Sequence, residues 1–137
     1  MWRTAVWLLG SCCVLPALAQ QSPNDIEMLK MYAGTWAVDC SKPAGVRLGV
    51  DVKALTLSGS GKRFSSSAPP LAAFSYYGKM EPPAGFEAAL LGEGRGASLT
   101  FMAMKDKAGP YLTVQSDEPL EKQFGKAGLA GKFRRCP

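Results

Sequence analysis

The sequence contains no histidine. That absence removes the commonest general base, the commonest zinc ligand and every serine–histidine or cysteine–histidine nucleophile pair. Long apolar runs are missing too. The one apolar stretch of note lies within residues 1–19, where Gly10, Ser11 and Pro16 break it well short of the roughly 20 residues that a bilayer-spanning helix needs. Cysteine is scarce: there are four, and Cys12 and Cys13 fall in that same opening stretch. Acid disappears near the end of the chain, and after Glu121 every charged side chain is positive: Lys122, Lys126, Lys132, Arg134 and Arg135.

What the N-terminus does carry is an ordered pattern. Arg3 precedes the apolar runs Ala5–Leu9 and Cys12–Leu15, and Ala17-Leu18-Ala19 supplies small residues before Gln20. This is the order of a secretory signal peptide, with cleavage expected after Ala19. A competing reading takes Leu9-Gly10-Ser11-Cys12 as a lipobox, which leaves Cys12 as a lipidated first residue and tethers the domain to a membrane. On the first reading residues 20–137 form one domain that is periplasmic or secreted and not integral to the membrane. The brevity of the signal points to a bacterial envelope. In an oxidising compartment the remaining cysteines, Cys40 and Cys136, are expected to pair and to close nearly the whole domain into one loop.

Ser22-Pro23-Asn24-Asp25 followed by Ile26, Leu29, Tyr32 and Ala33 predicts a short helix capped by Ser22 and ended by Gly34. Beyond it the grammar is that of strands. Eight are expected, over 35–40, 46–57, 62–65, 73–80, 86–92, 98–105, 111–115 and 131–136, separated by turns rich in glycine, proline, serine and aspartate. The expected fold is mainly β: a single small antiparallel β-barrel or sandwich of about eight strands with a short N-terminal helix. Leu99, Phe101 and Ala103 share one strand face while Thr100, Met102 and Met104 share the other, so both faces of that strand are expected to be partly covered. Segment 64–72, with its serines and Pro69-Pro70, reads as an irregular loop.

Residues able to carry chemistry are few. Carboxylates are present, but nothing in their spacing places two at a working separation, and no catalytic residue, metal site or cofactor is expected. Ser58-Gly59-Ser60-Gly61-Lys62-Arg63 lacks the glycine and the hydroxyl residue that a phosphate loop needs at 56 and 63, and reads as a hairpin turn. The five methionines after residue 19 have no ligand spacing and read as core filling. Two features point to a partner instead. Tyr76-Tyr77 offers aromatic contact surface, although in a strand one of the two rings faces the core. Lys132, Arg134 and Arg135 form a basic end suited to an acidic protein or an anionic envelope polymer, or to an edge strand kept from aggregating by its charge. Nucleic acid is not an expected partner outside the cytoplasm.

Gly34-Thr35-Trp36, after a short helix and at the first strand, resembles the Gly-x-Trp signature of lipocalin-like (calycin) barrels. The resemblance implies an up-and-down barrel with a ligand cavity beside Trp36 and a basic residue of the last strand, Lys132, Arg134 or Arg135, packed over the indole. With the first and last strands antiparallel and the cysteines opposed, the basic residues would lie away from Trp36. Their contact therefore requires a parallel pairing or a disulfide outside the ladder.

The functional expectation is an exported, non-enzymatic binding protein of the bacterial envelope that engages a macromolecular partner, in the manner of an inhibitor or immunity-type protein. The alternative is a small-ligand carrier with a lipocalin-like cavity.

Overall fold

Ser22 starts the first helix as its sequence predicts. In the computed structural model, which describes residues 20–78 and 80–137, helix α1 spans Pro23–Met31. The Ser22 hydroxyl accepts the Asp25 N–H at 3.1 Å and the Asp25 carboxylate accepts the Ser22 N–H at 2.6 Å, which satisfies two otherwise orphaned donors reciprocally. The second oxygen of Asp25 accepts the N–H of Ala72 at 2.9 Å, so the same buried carboxylate ties α1 to a strand far along the chain. The expected signal segment 1–19, with Cys12, lies outside the described residues.

Among the described residues nine strands form two antiparallel sheets and no closed barrel, which selects the two-sheet form of the expected fold. One sheet contains β1 (Gly34–Ala37), β2 (Arg47–Val50), β3 (Leu55–Gly59), β4 (Lys62–Ser65) and β9 (Arg134–Arg135), in the order β4-β3-β2-β1-β9. The other runs β5-β6-β7-β8, with β5 at Leu71–Ala73, β6 at Phe86–Gly94, β7 at Ala97–Asp106 and β8 at Gly109–Ser116. A bridge between Leu112 of β8 and Phe133 links the sheets. Trp36, Leu48, Leu57, Leu90, Phe101 and Phe133 anchor the core between them. Leu99, Phe101 and Ala103 point into it, as their alternation requires, while Met102 and Met104 are buried in a second cluster on the far side of the same strand.

The differences from expectation have local causes. The run 46–57 is a hairpin rather than one strand. Asp51 accepts the Lys53 N–H at 2.8 Å and donates its own N–H to Ala54, making a tight turn between β2 and β3. The strand expected over 73–80 is not seen among the described residues beyond Ala73: the chain leaves β5 there, and Tyr77, with φ 40°, and Gly78, with φ 71°, turn it back across the sheet. β5 itself falls at the end of the segment expected to be irregular. The C-terminal strand shrinks to two residues, and two short helices precede it, α2 (Glu118–Phe124) and α3 (Lys126–Leu129).

Cys40 and Cys136 are joined, with their Cα atoms 5.5 Å apart. The first and last strands run antiparallel in the register Trp36 to Arg135 and Ala37 to Arg134. The disulfide therefore lies outside the ladder, closed by a loop that returns Cys40 to the strand end. Arg47 holds that loop by donating to the carbonyl of Cys40 at 3.0 Å and to the sulfur of Cys136 at 3.4 Å.

Candidate functional site

Pleating sends alternate residues of the four-stranded sheet away from the core, and the register makes those residues neighbours. Ala73, Ala89, Met102 and Thr113 form one row across β5 to β8, and Leu71, Leu91, Thr100 and Gln115 form the next. Phe86, Met104 and Tyr111 form a third. This outward face is apolar over most of its width, which an antiparallel sheet with one solvated face does not need.

Residues 74–78 and 80–85 partly cover it. The Tyr76 ring meets Phe86 edge to face at 5.4 Å and Tyr77 at 4.6 Å, an arrangement worth about 0.5–1.5 kcal/mol per pair beyond area burial. The Tyr77 hydroxyl donates to the side-chain oxygen of Gln115 on β8, so the segment spans the sheet from one edge strand to the other. Beneath it lies an open cleft of about 260 Å³ walled by Tyr76, Tyr77, Phe86, Leu91, Met102 and Gln115. Cover is incomplete, for Phe74, Tyr77 and Met80 are 51%, 57% and 62% exposed. A second cleft, of about 230 Å³, continues from Phe74 to Met28 and Met31 of α1. These exposed aromatic and thioether groups form one contiguous apolar patch rather than scattered surface apolarity.

The basic end closes the other side of the face. Lys132 and Arg134 sit over the Tyr111 ring at 4.6 and 4.9 Å, and both bind one oxygen of Asp106, at 2.9 and 2.6 Å. Hydrogen bonds from Arg134, then from Lys132, hold the Asp106 carboxyl well below the usual carboxylate range. Arg135 goes elsewhere. Its guanidinium lies 4.7 Å from the Trp36 ring centre and donates to the Met31 carbonyl at 2.6 Å, capping the C-terminus of α1. Trp36 is fully buried, its Nε1–H bonded to the Tyr32 carbonyl at 2.9 Å and its ring stacked on Tyr32.

Four of the five residues expected to meet a partner, Tyr76, Tyr77, Lys132 and Arg134, thus border one face, and Arg135 packs on Trp36 apart from it. Sequence reasoning missed Phe74, Leu91 and Gln115, because a strand over 73–80 hides a segment that lies across other strands. Met28 packs against the main core, Met102 and Met104 are buried in the smaller cluster on the outward face of the sheet, and Met31 and Met80 are exposed. Among the described residues no three acidic or cysteine side chains gather in an arrangement able to hold a metal ion. None of the described helices is long and apolar enough to cross a membrane. Comparison with protein-family models, with curated proteins and with solved structures finds no match for this chain.

Proposed function

We propose that this chain is an exported, non-enzymatic binding protein of the bacterial envelope that docks a protein partner on the outer face of its four-stranded sheet, as an inhibitor or immunity-type protein does. The observation that carries this reading is the aromatic segment laid over an apolar sheet face, with Phe74, Tyr77 and Met80 left exposed. Well-packed aromatic anchors with a polar rim are the form that binding energy takes at protein interfaces. The Cys40–Cys136 bond supports an oxidising location. The test is affinity capture from envelope extracts with the mature chain and with a Phe74→Ser, Tyr77→Ala, Met80→Ser variant. One partner recovered in stoichiometric amount by the first and lost with the second supports the reading. Equal capture by both, or no specific partner, overturns it.

Arg135 over Trp36 is the one observation favouring a small-ligand carrier, since the lipocalin resemblance implies that contact. The core around Trp36 is filled by Leu48, Phe101 and Phe133, so a carrier would have to use the cleft under Tyr76 and Tyr77. Saturable binding of a small apolar ligand that competes with no protein would establish it.

A further inference from the structure

We infer that the free edge of β8, at Val114–Ser116, is a strand-addition site for an extended peptide segment with an apolar residue and an adjacent acidic one. The inference rests on the reading of the chain as a protein-binding module and gives the partner's chemistry. Hydrogen-bond parity fixes which groups are free. Leu112 spends both its N–H and its C=O on Phe133, each at 2.9 Å, so Leu112 faces β7 as a non-bonded pair. With an unbroken register, Val114 and Ser116 share that parity. Their N–H groups and the Val114 carbonyl therefore point off the sheet edge, with no partner among the described residues.

The rest of that edge is closed. Arg134 donates to the carbonyls of Gly109 and Pro110 at 3.0 and 3.4 Å, Pro110 has no N–H, and Phe133 occupies Leu112. The chain would reach Val114 next if it continued the Phe133 line, but Gly131, with φ 108°, turns it away into α3. What remains is a groove of about 350 Å³ between Val114–Ser116 and Leu129–Ala130, with Glu121 and Lys126 on its walls. It meets the aromatic cleft at Gln115, which lines both.

An open strand edge is ordinarily blunted or covered. Here it is left open in a groove, at the end of an existing bridge, where only another extended backbone matches its donors and acceptors. A residue paired with Val114 points to the same side as Val114, against Leu129, and so is apolar. Lys126 and Glu121 both line the groove, and neither is in an ion pair among the described residues, so an acidic neighbour is favoured at the Lys126 end, away from Glu121.

The experiment titrates the full mature chain, ¹⁵N-labelled, with acetylated and amidated pentapeptides of alternating valine and threonine, flanked by aspartate or by lysine. The aspartate peptide is expected to shift the Val114 and Ser116 amides and slow their exchange. N-methylation of its central amide is expected to weaken it about fivefold. Lys126→Glu, at an exposed position, is expected to weaken it about two- to fivefold and to reverse the aspartate–lysine preference. Shifts confined to other residues, indifference to N-methylation, or an unchanged preference in the Lys126 variant overturns the inference. If partner capture is lost with the Phe74, Tyr77 and Met80 variant but unaffected by Lys126→Glu, the docking reading stands and the strand-addition site falls.

Discussion

Replacing Cys40 and Cys136 together by alanine is expected to cost about 4–5 kcal/mol of stability without altering the native fold. The bond joins residues 96 positions apart, and in the chain-entropy model a loop of that length removes about 16 cal/mol/K from the unfolded chain, or about 4.7 kcal/mol at 25 °C. The folded state has independent means of holding its last strand. Phe133 is fully buried, Trp36 and Ala37 pair with Arg135 and Arg134, and the Cys136 N–H reaches the Thr35 carbonyl at 2.8 Å. The loss therefore arises in the denatured ensemble, which expands when the link is cut. Urea unfolding followed by far-ultraviolet circular dichroism should show a lower midpoint and a larger m-value, and the melting temperature should fall by roughly 15–25 °C. Near-ultraviolet dichroism of Trp36 should be unchanged at low temperature. A stability loss below about 1 kcal/mol, or a lost Trp36 signal in the folded variant, would refute the reasoning.

Asp25→Ala should cost about 2–3 kcal/mol by equilibrium unfolding, since it leaves the Ser22 and Ala72 N–H groups without their acceptor. Burial raises the Asp25 pKa, but the hydrogen bonds from Ser22 and Ala72 outweigh it and the net shift is downward. Its contribution is thus present above about pH 4 and lost as pH falls through the lowered folded value, so Asp25→Asn should flatten the stability profile below pH 4 relative to wild type. Burial first, then donation to Glu87 at 2.7 Å, raises the Tyr32 phenol above its ordinary value. Stability tied to Tyr32 is accordingly full below about pH 10 and declines above it, and Tyr32→Phe should decline less in alkaline melting curves. Gly85→Ala should destabilise by about 2 kcal/mol or more in the same assay, because Gly85 holds φ 85° and a Cβ there would meet the Lys105 carbonyl oxygen.

Much of this fold was legible because local rules and tertiary packing agree. Ser22, Pro23 and Asp25 predict α1, and the glycine turns bounding β6, β7 and β8 predict their hairpins. Leu99 to Met104 forecast a strand covered on both sides. The two helices after β8 and the turn at Asp51 are not among the elements expected from the sequence: Pro119 sits in the first turn of α2 as Pro23 does in α1, but Asp117 makes no side-chain cap hydrogen bond, and Asp51 is hidden inside an apolar run. Segment 74–85 was not readable either. Phe74, Tyr76 and Tyr77 have strand propensity, and only the apolar face beneath them and the reach of Tyr77 to Gln115 make the segment a cover instead. The free edge at Val114 was equally hidden, since it depends on which partner Leu112 finds.

The most direct test of the proposed docking face is a hydrogen–deuterium exchange footprint, on the intact, disulfide-bonded chain, of whatever partner the capture experiment recovers. Protection concentrated in residues 71–78, 86–91 and 100–116 is the result expected for a partner seated on the outer face of the four-stranded sheet. Protection confined to β2, β3 and β4, with those segments unchanged, would contradict it.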